Sequence, residues 1–222
     1  MKNLLVLSFV VLVLTASCQD VDIKTNINEY YKHSLQCYTR DLVHHFPSQL
    51  PDSCTFLGES LEETDPIIAG FTCDAMLLWK VYSKDQYKKI STEFKNLADT
   101  IYSANDSSLL LVFSYCDILE VDGKTYDNLE PQERQELVMH NVTVASSYPI
   151  PLFEIDEYKG NTMSGLTEDF KIYVFEAKSG RFLNKEYLRG CECLPNKWKH
   201  GYSKGVSLSD EKQVVIYWVV VW

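Results

Sequence analysis

The feature that most constrains this chain is the uninterrupted apolar run formed by its last nine residues, Val214 to Trp222. The run contains only β-branched and aromatic side chains, with no charge, glycine or proline. It is far shorter than the roughly 20 residues of a membrane-spanning helix, and its composition predicts a β-strand. Because both sets of alternating positions are apolar, we predict a central strand that is covered on both faces.

The size and charge of the chain exclude several classes of partner. Its 222 residues, 45% hydrophobic and 23% charged, are typical of one globular domain. The formal net charge is −10, and lysine and arginine are not clustered anywhere along the chain. A phosphate backbone would be repelled by such a surface, so we expect no nucleic-acid partner.

The order of apolar patterns predicts an α+β fold. Apolar residues at helical spacing over residues 22–46 predict an N-terminal helix that ends at Pro47. A Ser83–Gln86 capping box before an apolar stripe predicts one long amphipathic helix that ends near Tyr102. Strands are expected over 67–82, 109–121 and 170–175, a short helix over 130–139, a turn at 122–123, and a hairpin with a loop of about four residues between 201–208 and the final strand. We therefore predict a mainly antiparallel sheet with the N-terminal and amphipathic helices packed on it.

The N-terminus carries the signals of an exported protein. A short positive start is followed by the apolar stretch Leu4 to Leu14 and then by Thr15-Ala16-Ser17-Cys18. The stretch has the length of a signal-peptide core and is too short for a permanent membrane anchor. We predict a signal peptide over residues 1–17 and a single globular domain over residues 18–222.

The residues around the predicted cleavage site resemble the lipobox of bacterial lipoproteins, in its loose Bacteroidetes form. Thr15 stands at the position that is usually leucine. The resemblance implies that Cys18 is the lipid attachment residue and that the mature protein is tethered to the cell envelope. It also implies that the membrane is a partner through the lipid anchor. Gln19 after the cysteine, in place of aspartate, is consistent with sorting to the outer membrane by the proteobacterial rule. Several acyl chains on one residue would give stable attachment.

A second resemblance supports a bacterial origin. The segment from Trp198 to Val206, followed by Val215-Ile216-Tyr217-Trp218, is similar to the end of small uncharacterised bacterial proteins. His45-Phe46-Pro47 with Leu50-Pro51 is similar to the N-terminal part of the same proteins. That family brings no assigned activity.

Plain secretion of a eukaryotic glycoprotein is the alternative to a lipoprotein. Cleavage would then follow Cys18, and the sequons at Asn105 and Asn141 would be possible glycosylation sites. In either case six further cysteines would meet an oxidising compartment, which predicts disulfides. They are Cys37, Cys54, Cys73, Cys116, Cys191 and Cys193. Cys191 and Cys193 share one face of an extended chain, so we expect each to bond a different partner.

Candidate chemistry is sparse. Cys191, Cys193 and His200 are weak candidates for a metal site, to which His44 and His45 could be added by the fold. The spacing of these two cysteines differs from that of zinc-binding pairs. A cysteine nucleophile could use His140 or His200 as its base, but no family motif surrounds these residues. Calcium could be bound by Asp117, Glu120 and Asp122, but their spacing does not match an EF-hand loop. We therefore expect a binding or scaffolding protein without a cofactor, and a metal- or thiol-dependent enzyme centred on residues 191–200 as the alternative.

Overall fold

The computed structural model describes residues 16–58, 73–112, 118–121, 124–127, 131–182 and 194–222. In these ranges the helices are α1 (Ala16–Cys37), α2 (Arg40–Val43), α3 (Lys84–Leu97) and α4 (Pro131–Thr143). The strands are β1 (Cys54–Gly58), β2 (Asp74–Val81), β3 (Thr100–Ser103), β4 (Leu110–Val112), β5 (Ile118–Val121), β6 (Lys124–Asp127), β7 (Pro149–Pro151), β8 (Phe170–Ser179), β9 (Gly201–Ser209) and β10 (Val214–Val221). No helix in the described ranges is both long enough and apolar enough to cross a bilayer.

Six strands form the main sheet, in the order β1-β2-β10-β9-β8-β3, and every neighbouring pair is antiparallel. Two small sheets accompany it: β4 and β7 pair in parallel, and β5 and β6 form an antiparallel pair on either side of residues 122–123. The predicted α+β fold with a mainly antiparallel sheet is confirmed.

Strand β10 is the buried centre of the sheet, as its sequence predicted. All eight of its residues are buried, and it pairs with β2 on one side and with β9 on the other. Ser209 pairs with Val214, so residues 210–213 form the predicted loop of the hairpin between β9 and β10. Both faces of β10 carry large side chains, which explains why the sheet has a protein layer on each side.

The large side chains of β10 fit because one face of β9 carries only small residues. Alternate positions of β9 on that face are Gly201, Ser203, Gly205, Ser207 and Ser209. Gly205 pairs with Trp218, and a Cβ on Gly205 would lie 2.6 Å from the Trp218 ring and 2.0 Å from the Tyr173 carbonyl. A Cβ on Gly201 would likewise lie 2.8 Å from the Trp222 ring. The glycines therefore make the space that the tryptophans occupy.

The two faces of the sheet have different coverings. Helices α1, α2 and α3 cover one face, here called the helix face, with Tyr31, Tyr38, Leu42, Phe46, Tyr87 and Phe94 packed on it. The opposite face packs against Leu109, Leu111, Ile150, Phe153, Ile155 and Leu166, which come from β4, β7 and their connections. A third apolar cluster, around Trp198 and Trp222, lies at the end of β10 and includes side chains of α4.

Several local predictions were wrong in detail. The N-terminal helix is interrupted after Cys37, and a separate short α2 follows. Ser83 precedes α3, but its hydroxyl bonds the side chain of Gln86 at 3.0 Å and not a backbone N–H, so no capping box forms. The amphipathic helix ends at Leu97 because the Asp99 N–H and strand β3 bond to β8 at the sheet edge. Tertiary pairing overrides the helical spacing there.

Candidate functional site: a groove beside helix α2

A groove of about 340 Å³ opens beside α2. It is formed by the last turns of α1, by α2 and by the turn that follows α2. Its lining residues are Leu35, Tyr38, Arg40, Val43, His44, Phe46, Pro47 and Ser48. Half of these residues are apolar and half are polar, and the volume lies near the lower end of the roughly 300–1,000 Å³ of known small-molecule sites, which makes the groove a candidate site.

The groove exists because the chain turns sharply between α1 and the sheet. Thr39 is extended, with φ −63° and ψ 147°, and its carbonyl accepts the Leu42 N–H at 2.9 Å, which starts the single turn of α2. The Phe46 N–H donates to the Val43 carbonyl at 2.9 Å, and Pro47 then stops any further helix. Leu42 and Val43 are buried, whereas Arg40 and His44 are exposed.

Three long-range hydrogen bonds fix this segment. The Lys204 ammonium donates to the Asp41 carbonyl at 2.5 Å, the His45 ring bonds the Trp218 carbonyl at 3.1 Å, and the Tyr31 hydroxyl donates to the Pro47 carbonyl at 2.5 Å. Two of the three bonds come from the sheet, from residues more than 160 positions away in sequence. The groove is therefore a preformed surface whose shape is held from beneath.

Buried side chains complete this support. Tyr38, in the groove wall, donates its hydroxyl to the Asp74 carboxylate at 2.6 Å, and both residues are buried. Burial and the adjacent Asp74 charge raise the pKa of Tyr38 well above its ordinary value, so its hydroxyl stays protonated and keeps donating. The Phe46 ring packs on Tyr217 of β10, with ring centroids 5.9 Å apart.

A β-bulge in β8 builds the polar part of the support. The register with β9 shifts between Val174 and Glu176, so that Phe175 is an extra residue in the strand. As a result Phe175 and Glu176 both project to the helix face, whereas regular alternation would separate them. Phe175 then contacts the rings of His45 and Phe94, at centroid distances of 5.5 Å in both cases.

Glu176 collects three hydrogen-bond donors beside the groove. Its carboxylate accepts from the Lys204 ammonium at 2.9 Å, from the Tyr202 hydroxyl at 2.7 Å and from the Lys178 ammonium. Burial alone would raise the pKa of Glu176, but these donors outweigh it and lower the pKa to about 2. Lys204 is 5% exposed, so its charge is held close beneath the Asp41 backbone. Two ammonium groups share one carboxylate, which leaves this cluster positive.

His45 is neutral in the folded protein. Its burial lowers its pKa to about 3; the hydrogen bond to the Trp218 carbonyl opposes this effect, and the nearby Lys204 charge adds to it. A carbonyl can only accept, so Nε2 carries the ring proton. Nδ1 is then a buried acceptor with no hydrogen-bond partner among the described residues.

The predicted lipid and disulfide residues are only partly described. Cys18 is the third residue of α1, and its side chain lies outside the described atoms. Cys37 ends α1, Cys54 begins β1, and Cys73 is buried in the core. No disulfide joins these three to one another, and the Cys54 thiol donates to the Pro51 carbonyl at 3.0 Å. The remaining cysteines, Cys116, Cys191 and Cys193, lie outside the described residues, so the disulfide hypothesis stays a prediction.

The two sequons differ in accessibility. Asn105 is exposed in the turn between β3 and β4. Asn141, on α4, is buried, and its amide bonds the Leu111 N–H and carbonyl at 3.5 and 3.4 Å. In the folded chain, therefore, Asn105 is available for a glycan and Asn141 is not. Whether the protein is glycosylated stays a prediction.

Of the histidines considered for a metal site, His44 and His45 are neighbours, with ring centroids 6.0 Å apart, but His200 does not join them. His45 contacts Trp218, whereas His200 precedes Gly201, which pairs with Trp222. Four residues of extended strand separate these two tryptophans, about 13 Å. No group of three metal-ligating side chains occurs in the described ranges. Cys191 and Cys193 lie outside those ranges, as do Asp117 and Asp122 of the calcium hypothesis. His140 is bonded through Nε2 to the Leu109 carbonyl at 2.8 Å.

Comparison with known proteins identifies no relative: no family model, no curated protein and no solved structure matches the chain.

The groove is not among the sites predicted from the sequence, because the pattern of residues 40–48 predicts only the end of a helix and a loop. One signal was present in the sequence. Lys204 is a charged residue within a strand of small and apolar residues, and such a residue needs a buried partner.

Replacing His45 by glutamine should flatten the acid dependence of stability. The pKa of His45 is about 3 in the fold and has the ordinary value of 6.5 in the unfolded chain. Between these values the unfolded chain binds more protons, so the stability from this residue is complete above pH 6.5 and falls as the pH decreases. The slope is roughly 1 kcal/mol per pH unit.

Urea unfolding of both proteins at successive pH values below 6.5 measures this slope. We expect the free energy of unfolding of the His45→Gln variant to fall less steeply than that of the wild type, whatever its value at neutral pH. Parallel curves for the two proteins would contradict a buried neutral His45.

Proposed function

We propose that this chain is an exported binding protein, tethered to the cell envelope through Cys18, that takes its ligand in the groove beside α2. The observation that supports a binding function is that a groove lined by both apolar and polar side chains is held rigidly by the sheet beneath it. Bonds from Tyr31, His45 and Lys204 hold the lining segment in place before any ligand arrives. A preformed site loses less entropy on binding than a mobile loop does.

The geometry of α1 is compatible with attachment at Cys18. The Tyr30 hydroxyl donates to the Gly58 carbonyl, and the Tyr31 ring packs on Phe56, so α1 is fixed to β1 at this point. Cys18 lies twelve residues earlier in the same helix, which corresponds to about 18 Å along its axis. An acylated Cys18 would thus hold the domain a short helical distance from the membrane.

The alternative is a secreted glycoprotein. The exposure of Asn105 supports this alternative, because a glycan could be attached there. The two proposals share the groove and differ in the N-terminus. Attachment is therefore tested separately from binding.

Mass spectrometry and phase partition of the mature protein test the attachment. A lipoprotein begins at Cys18, carries acyl chains, and enters the detergent-rich phase of a detergent-partition experiment. A Cys18→Ala variant, expressed with its full N-terminus in a Gram-negative host, should lose the acyl mass and move to the aqueous phase. A mature protein from the native source that begins at Gln19, without acyl chains and with a glycan on Asn105, would contradict the tether.

Filling the groove should abolish binding. Ser48 is exposed and lines the groove, so a Ser48→Trp variant covers the apolar walls without changing the core. We expect the neutral apolar dye N-phenylnaphthylamine to bind the wild type with enhanced fluorescence. The variant should bind it at least about tenfold more weakly, which corresponds to about 1.4 kcal/mol.

Ser107→Trp is the matched control, because Ser107 is an exposed serine outside the groove. It should bind the dye as the wild type does. Equal dye affinity of the Ser48→Trp variant and the wild type would show that this groove is not the binding site.

A further inference from the structure

No carboxylate side chain lines the groove, although the protein as a whole is strongly acidic. The formal net charge of the chain is −10, yet none of the groove-lining residues is an aspartate or glutamate. Among the lining residues, Arg40 carries side-chain N–H donors that face no acidic lining residue. The nearest acidic residue in sequence, Asp41, is exposed but does not line the groove. The lining itself therefore carries the charge of Arg40, while the buried Asp74 carboxylate behind the wall accepts the hydroxyl of the lining residue Tyr38 at 2.6 Å.

Arg40 and His44 lie together on one side of the groove. They are four residues apart across the single turn of α2, which places them on the same side of it. In the described part of the chain no carboxylate forms an ion pair with Arg40. The His44 Nδ1–H donates to the Asp41 carbonyl at 2.9 Å, so Nε2 of the neutral ring is an acceptor and the anion is assigned to Arg40 alone. A guanidinium that has no ion pair among the described residues and lies beside apolar walls is suited to a planar carboxylate.

A buried lysine, paired with a carboxylate, holds this side of the groove from below. Lys204 donates to the Asp41 carbonyl, in the same turn of helix as Arg40. The carboxylate of Glu176 is shared between Lys204 and Lys178, so the cluster keeps a net positive charge. Lys204 and Glu176, 2.9 Å apart, form a largely buried neutral pair, so the excess positive charge is that of Lys178, whose side chain is 58% exposed.

We propose that the groove binds a small carboxylate with an apolar body, whose anion is held by Arg40 and whose body lies against Leu35, Val43 and Phe46. This inference rests on the binding function proposed above and adds the chemical class of the ligand. The apolar lining accounts for the body, and the Arg40 guanidinium accounts for the anion.

Phenylbutyrate and its neutral amide, phenylbutanamide, test the proposal because they share one apolar body. Titration calorimetry of both compounds is carried out with the wild type, with Arg40→Gln and with Arg181→Gln. Arg181 is an exposed arginine that does not line the groove, and it provides a matched control. We expect the wild type and the control to bind the carboxylate about tenfold more tightly than the amide. Arg40→Gln should remove this difference.

The possible results separate the ligand class from the binding function. If both compounds bind the wild type equally and Ser48→Trp abolishes both, the carboxylate proposal is wrong and the groove remains a binding site. If the preference for the carboxylate persists in Arg40→Gln, the anion is not held by Arg40 and the proposal is overturned. If neither compound binds while the neutral dye does, the carboxylate class is excluded. If neither the compounds nor the dye bind, the binding function fails as well.

Discussion

The pairing of β10 with β9 is the interaction on which the rest of the structure depends. β10 presents tryptophans on one face and valines and Tyr217 on the other, and a strand of this kind needs a protein layer on both sides. The tryptophan face fits only because Gly201 and Gly205 leave room for Trp222 and Trp218. A fully buried large side chain contributes roughly 1.5–3 kcal/mol. The two layers of the domain follow from this one strand.

The helix face of the same sheet supports the segment that forms the groove. The bulge in β8 brings Phe175 and Glu176 to one side, and Glu176 holds Lys204 in place. Lys204 and His45 then link the segment after α1 to the two central strands. Their hydrogen bonds satisfy backbone carbonyls that would otherwise be buried or poorly solvated. The groove is therefore an extension of the sheet, and its lining residues need little reorganisation to receive a ligand.

The sequence was most informative where the pattern is local. The continuous apolar run predicted β10 and its burial, and the loop before it predicted the hairpin. The sequence was less informative where long-range strand pairing determines the local structure. The helix predicted to run past Leu97 ends there, because the residues that follow form β3 and pair with β8 at the sheet edge. The groove depends on contacts between Asp41 and Lys204 and between His45 and Trp218. Local periodicity contains no information about such distant pairs, although an isolated lysine in an apolar strand indicates that one exists.

Hydrogen–deuterium exchange of the segment from Arg40 to Ser48 tests most directly whether the sheet holds the groove in shape. In the wild type we expect protection close to that of the main sheet. Lys204→Met should increase exchange selectively in this segment, whereas Lys212→Met, which breaks the ion pair with Asp169, should leave it unchanged. If the segment exchanges rapidly in the wild type, or equally in all three proteins, the groove is not held by the sheet.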